Sequence, residues 1–235
     1  EAGETLAADD SLRVVVLSGN GRGFCAGLDM GSFQSMSDQK SDQSAGNLQS
    51  FDDGPANNAQ RPAYAWKRLP VPVIAAIHGV SFGGGLQIAL GADIRIAAPD
   101  AKLSVMEIKW GLIPDMSITQ TLRDLIPIDV AKELTFSGRI LSGQDASDLG
   151  LVTRVAENPL EAAMALAKEI AGKNPDAIRF GKQLFEESWH ADEATGLAME
   201  SRLQTTLSGT ENQLEAIKAN FENRSPAFGP ATLKA

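Results

Sequence analysis

The chain has 235 residues, 43% hydrophobic and 22% charged, with 30 acidic against 21 basic side chains and a formal net charge of −9. That length and balance suit one large globular domain, or a domain with an appendage, able to bury a sizeable core. The negative charge argues against non-specific nucleic-acid binding, and no apolar run approaches the length of a membrane span. A single cysteine, Cys25, excludes an intrachain disulfide framework and fits a reducing, cytoplasmic setting, and two separated histidines argue against a histidine-rich metal site.

Residues 1–10, EAGETLAADD, have the character of a helix end, so further elements are expected upstream of them. Residues 12–17, LRVVVL, form a β-branched run closed by Ser18-Gly19-Asn20-Gly21 and are expected as a buried strand. The glycines continue through GNGRGFCAGLDM at 19–30. This departs from the dinucleotide pattern GxGxxG, because the third glycine falls one place early at Gly23, and it lacks the GK[ST] ending of a phosphate loop. Residues 32–63 are rich in Ser, Gln, Asp, Asn and Gly, the composition of a functional lid or a disordered loop. Residues 64–69 have helical character.

The most informative stretch follows. Residues 73–77, VIAAI, bounded by Pro72 and Gly79, read as a buried strand, and Gly83-Gly84-Gly85 then opens a short buried helix at 86–90. Three glycines remove every Cβ around a helix start, where the first N–H groups lack intrahelical partners and the dipole is positive. Such a place suits a negatively charged oxygen. Residues 94–97 and 103–105 are expected as further strands. From Asp115 the spacing turns helical, with Ile118, Leu122 and Leu125 on one face, then Val130 and Leu134. A short helix at 142–149 and a last strand at 151–155 precede an almost wholly helical region from 160 to 222, broken near Asn174-Pro175 and Gly209.

Three motifs in order, FCAGLDM, PVIAAIHGVSFGGGLQIALGADIRIA and EIKWGLIPD, resemble the crotonase (enoyl-CoA hydratase/isomerase) superfamily over roughly residues 12–221. The resemblance implies an α/β fold, a spiral of ββα units, with a helical C-terminal region used for trimerisation. Residues 1–158 would form the spiral core, its N-terminal elements missing, and 159–235 the helical region. It further implies an acyl-CoA substrate, with coenzyme A as part of that substrate and no separate cofactor or metal, and assembly as a homotrimer or hexamer.

Carried over residue by residue, the family's two backbone donors for the thioester oxygen fall on Leu28 and Gly84, the oxyanion hole. The carbonyl that meets the adenine falls on Ala26. Gly83, Gly85 and Gln87 complete the expected substrate-binding set, with Lys218 at the place of a basic cluster near the CoA phosphates. Hydratases of the family use two glutamates. Glu107 fills the second place, but Gln87 stands at the first, and a glutamine only orients water or substrate. Asp115 falls where dienoyl-CoA isomerases carry an aspartate for proton transfer; it is also placed to cap a helix beginning at Met116. One acid suffices to move a double bond, so isomerisation is expected slightly ahead of hydration. Two alternatives stand beside this: a catalytically silent acyl-CoA binder, and a serine hydrolase using Ser81 in Gly79-Val80-Ser81-Phe82-Gly83, a formal GxSxG. His78 is expected in a structural role.

Overall fold

The computed structural model describes residues 2–27 and 54–233, and it resolves two compact units. The larger comprises residues 16–68 and 73–163; the other comprises residues 1–15, 69–72 and 164–235.

The strands among the described residues fall into two sheets. β1 (Val15–Ser18), β2 (Val73–Ile77), β4 (Ile94–Ala97) and β7 (Arg154–Val155) lie side by side in the order β1-β2-β4-β7. β2 and β4 run parallel with Ile74 opposite Ile94 and Ile77 opposite Ala97, and β4 runs parallel to β7. Every residue of β2 is buried, which is why its sequence is an unbroken apolar run without alternation. The second sheet has the order β3-β5-β6 and is built from β3 (Val80–Phe82), β5 (Lys102–Ser104) and β6 (Leu141–Ser142). β3 and β5 are parallel, β5 and β6 antiparallel.

The chain passes from one sheet to the other at Gly79, whose φ is +58°. A Cβ there would stand 2.1 Å from the carbonyl oxygen of Arg22, so only glycine allows the turn. His78 secures the same corner: its Nε2 lies 3.1 Å from the Gly21 carbonyl, which only an N–H can satisfy. The structural role expected of His78 is the one observed. β3 leads directly into helix α3 (Gly84–Leu90), so β2, β3 and α3 make one ββα unit. A helix before β2, α2 (Arg61–Arg68), presents its Ala63 carbonyl 2.2 Å from the place of a Cβ on Gly91, at the far end of α3.

β4 and β5 are followed by a 3-10 helix (Glu107–Trp110), then α4 (Ile118–Thr121) and α5 (Ile128–Ser137). The helical periodicity expected from Asp115 onward is thus split. Pro127 caps α5 and lacks the N–H needed to continue from α4. α6 (Gly143–Asp148) is introduced by a capping box in which Ser142 and Asp145 satisfy each other's backbone N–H groups. Leu151 and Val152 are buried but lie ahead of β7, shortening the expected strand to two residues.

The other unit holds α1 (Ala2–Ala7) and most of the C-terminal helices: the end of α7 (Pro159–Ala171), then α8 (Pro175–Ser188), α9 (Glu193–Leu207) and α10 (Glu211–Phe221). The expected break at Asn174-Pro175 is an N-cap: the Asn174 side chain accepts from the N–H groups of Asp176 and Ala177, with proline at the first helical position. A further break, before α9, is capped by Asp192. Phe180, Met199 and Leu203 form the core between α8 and α9, with Leu184, Leu207 and Leu233 packed against them. The tail is held through Asp176, whose Oδ1 accepts from the N–H groups of Thr232 and Leu233 at 2.8 and 2.9 Å, while Oδ2 accepts from Asn212. Burial works to raise this carboxyl, but those hydrogen bonds and the Arg179 charge hold it below the usual aspartate value.

Candidate active site

The site is built where three segments meet inside the larger unit. The first is Cys25–Gly27, which runs beside β3: Cys25 N–H donates to Val80 O, Phe82 N–H donates to Cys25 O, and Cys25 bridges Ser81. Gly27 has φ +91°, and a Cβ on it would stand 2.8 Å from Phe82 O and 3.7 Å from Gly84 N. The FCAG motif therefore ends against the start of α3. Ala26 is exposed there, and Leu28, expected as one oxyanion donor, lies outside the described residues, as does most of the polar segment expected at 32–63.

The second segment is the glycine triplet. Gly83 caps α3 with φ 53° and ψ −122°, a combination open essentially to glycine, and its own N–H is taken by Ser104 O at 2.9 Å. The first bond of the helix ladder is Gln87 N–H to Gly83 O, so the N–H groups of Gly84, Gly85 and Leu86 stand ahead of it. The three glycines serve different needs. Gly83 leaves room for a carboxylate: a Cβ would lie 3.3 Å from Oε1 of Glu107. Gly84 leaves room for the thioether of Met116, 2.8 Å from the Cβ position. Gly85 is required for packing, since a Cβ would stand 2.2 Å from the Cys25 carbonyl oxygen.

The third segment runs from Glu107 to Ser117. Glu107 opens the 3-10 helix, which Gly111 ends in the left-handed region at φ 69°. Its Oε1 accepts from Gln87 Nε2 at 2.7 Å, and Gln87 Oε1 in turn accepts from Met116 N–H at 2.8 Å. Gln87 is 1% exposed. Burial pushes the Glu107 carboxyl up, with the charge of Asp115 adding to the rise; its own and the Met106 backbone N–H groups and the Gln87 donor oppose it without cancelling it. A glutamate that keeps its proton to higher pH stands closer to the range in which acid–base transfer works best.

Asp115 is exposed and acts on Glu107 through its charge. It does not cap a helix at Met116. The next helix, α4, starts at Ile118 behind Ser117, because Met116 and Ser117 are spent on turning the chain back toward α3. Ser117 adopts φ 64° and ψ 15°, is 7% exposed, and its Oγ has no hydrogen-bond partner. A non-glycine residue in this region costs about 1–2 kcal/mol. Ser117→Gly removes both the strain and the unbonded hydroxyl, against the extra chain entropy of glycine, and is expected to stabilise the fold by about 1 kcal/mol. A lower urea midpoint than wild type at equal slope would contradict it.

Ser81 is fully buried on β3, with its hydroxyl unbonded, and the ring of His78 is engaged with Gly21. A nucleophile must meet both a base and the substrate, so the serine hydrolase reading falls. Lys218 is an exposed residue of α10, its charge acting on Glu215. The backbone donor of Met116 escaped the sequence reading; nothing in GLIPDM marks it, because main-chain N–H groups leave no trace in residue identity.

A strand-to-strand passage between two sheets, a glycine-capped helix start and a half-buried carboxylate beside it set an acid–base group next to main-chain N–H groups that stand ahead of the helix ladder. The profile described as Enoyl-CoA hydratase/isomerase matches residues 1–231, and the chain belongs to that family. It is 34% identical to the mitochondrial methylglutaconyl-CoA hydratase of Mus musculus, over 97% of this chain and 71% of that protein. It is 33% identical to the 2,3-dehydroadipyl-CoA hydratase of Escherichia coli (strain K12), over 96% of this chain and 84% of that protein. Among solved structures, an enoyl-CoA hydratase from Bacillus anthracis superposes with a TM-score of 0.86 at 33% identity, covering 97% of this chain and 85% of that one. The spiral α/β fold is that of these enzymes. No helix among the described residues is long and apolar enough to cross a membrane.

Proposed function

We propose that the protein processes an acyl-CoA thioester through an enolate, with Glu107 giving and taking the proton and the main-chain N–H groups of Leu28 and Gly84 holding the oxygen. The observation that carries this is the juxtaposition at Gly83: the Glu107 carboxylate lies against the bare backbone at the start of α3, where unladdered N–H groups begin. Removing a proton beside a thioester carbonyl sends charge to that oxygen, and an aligned donor in such a site is worth about 3–4 kcal/mol of barrier. Family membership supports the acyl-CoA substrate; coenzyme A is then part of the substrate, with Ala26 O meeting the adenine and Lys218 the phosphates.

Double-bond isomerisation is the favoured reaction over hydration. Gln87 cannot exchange a proton near neutral pH, so the paired carboxylates of hydration are missing, whereas one acid serves to shift a double bond; Asp115 stands as a second proton carrier. Assembly into homotrimers or hexamers belongs to the same proposal, supported by large apolar side chains left exposed on the C-terminal helices, Trp189 at 64% and Phe221 at 82% among them.

The test is to offer 2-enoyl-, 3-enoyl- and 3,5-dienoyl-CoA to the purified protein. The expected result is conversion of the 3-enoyl thioester ahead of hydration of the 2-enoyl one. Faster hydration overturns the preference for isomerisation, and binding without conversion of any of the three leaves the silent acyl-CoA binder.

A further inference from the structure

The two ends of the buried Gln87 amide can be told apart by chemistry alone. Met116 N–H approaches one end at 2.8 Å, and an N–H only donates, so that end is the carbonyl oxygen. The other end is then the NH2, and it lies 2.7 Å from Oε1 of Glu107. An NH2 only donates, so Oε1 is held as an acceptor. Oε2 is shielded from solvent and takes no hydrogen bond among the described residues. A proton on Oε1 would face the Gln87 donor and forfeit that bond, whereas Oε2 makes no hydrogen bond among the described residues that a proton there would break. Turning the carboxyl group about its Cγ–Cδ bond would exchange the two oxygens, and the tether through Gln87 to the Met116 backbone resists that turn.

We propose that Gln87 is a positioning residue that makes the oxygens of Glu107 unequal, with Oε1 locked as an acceptor and Oε2 alone carrying the proton. This rests on the reading of Glu107 as the acid–base group. In the step it serves, Oε2 takes a proton from C2 of a 3-enoyl thioester, the C–H electron pair becomes a C1–C2 double bond, and the carbonyl pair moves onto the thioester oxygen, to return when C4 is protonated. The O–H bond on Oε2 then breaks as the proton passes to C4, and the double bond comes to rest between C2 and C3. Nothing is oxidised or reduced, and no second reactant enters. Because one oxygen both collects and returns the proton, the carboxyl must keep its orientation between the two transfers, which is what the Gln87 tether supplies. Asp115 is the other titratable group acting on Glu107, and it opposes the ionisation that Gln87 favours.

The experiment follows the Glu107 carboxyl directly, by 13C NMR of protein labelled at the glutamate Cδ, the Glu107 signal being the one absent from Glu107→Gln. Gln87→Met keeps the length of the side chain and deletes the donor, so the Glu107 titration moves up by about one pH unit or more. Gln87→Glu keeps an acceptor for Met116 N–H but places a second carboxylate against Oε1, and it moves the titration up further still, the two groups sharing a proton. With 3-hexenoyl-CoA, Gln87→Met lowers kcat by about tenfold or more, with KM within about twofold, because orientation between transfers is lost and binding is not. An unmoved Glu107 titration in whichever variant folds overturns the proposal. Survival of turnover in Glu107→Gln is a separate outcome: it sinks the acid–base reading of Glu107, while the titrations still decide whether Gln87 holds its oxygen.

Discussion

Glu107→Gln is expected to lower turnover by about 10²- to 10⁴-fold, the span that a positioned acid–base group contributes, while acyl-CoA binding persists. The variant is well suited to the question because its surroundings can accept it. The carbonyl of the new amide can take the hydrogen bond that Gln87 Nε2 now donates to Glu107 Oε1, so the local frame among Gln87, Met116 and the 3-10 helix has no reason to move. What disappears is the ability to exchange a proton. Single-turnover assays with 3-enoyl-CoA beside calorimetric binding of an acyl-CoA separate the two effects. Turnover within about threefold of wild type would mean that some other group, with Asp115 the nearest candidate, carries the proton. The wild-type pH profile has a definite sign: as a base, Glu107 works deprotonated, so activity rises as pH climbs through its pKa. Burial and the Asp115 charge place that rise above the ordinary glutamate range.

The second large effect is on stability. Gly85→Ala is expected to cost about 3 kcal/mol or more, because the new Cβ lands 2.2 Å from Cys25 O and neither side can yield. Cys25 is held by Val80 and Phe82 through main-chain bonds on both of its polar groups, and Gly85 sits in the first turn of α3. Gly84→Ala meets instead the thioether of Met116, the far end of a flexible side chain, and is expected to cost about 1 kcal/mol. Urea unfolding of the two variants side by side checks the order. Equal losses would show that the FCAG segment and α3 are not packed as closely as described.

The residue order by itself determined a good deal here. An unbroken VIAAI announces a strand buried on both faces, and Asn174-Pro175 announces a helix start, because burial and capping act on residues close together in the chain. The family match shows that the motifs FCAGLDM, GGGLQ and EIKWGLIPD were sufficient to name the family and the fold class. Other features depended on contacts made across long stretches of chain. Three glycines in a row look alike in a sequence, yet one faces a carboxylate, one a thioether and one a peptide carbonyl, each contributed by a segment at least twenty residues away. Helical spacing after Asp115 concealed a left-handed Ser117, strain that no local preference would choose and that the turn back toward α3 imposes. Gln87 shows the division most clearly. Its identity excluded it as an acid, but the tertiary fold alone decided what it does, by presenting a main-chain N–H to one end of the amide and a glutamate oxygen to the other.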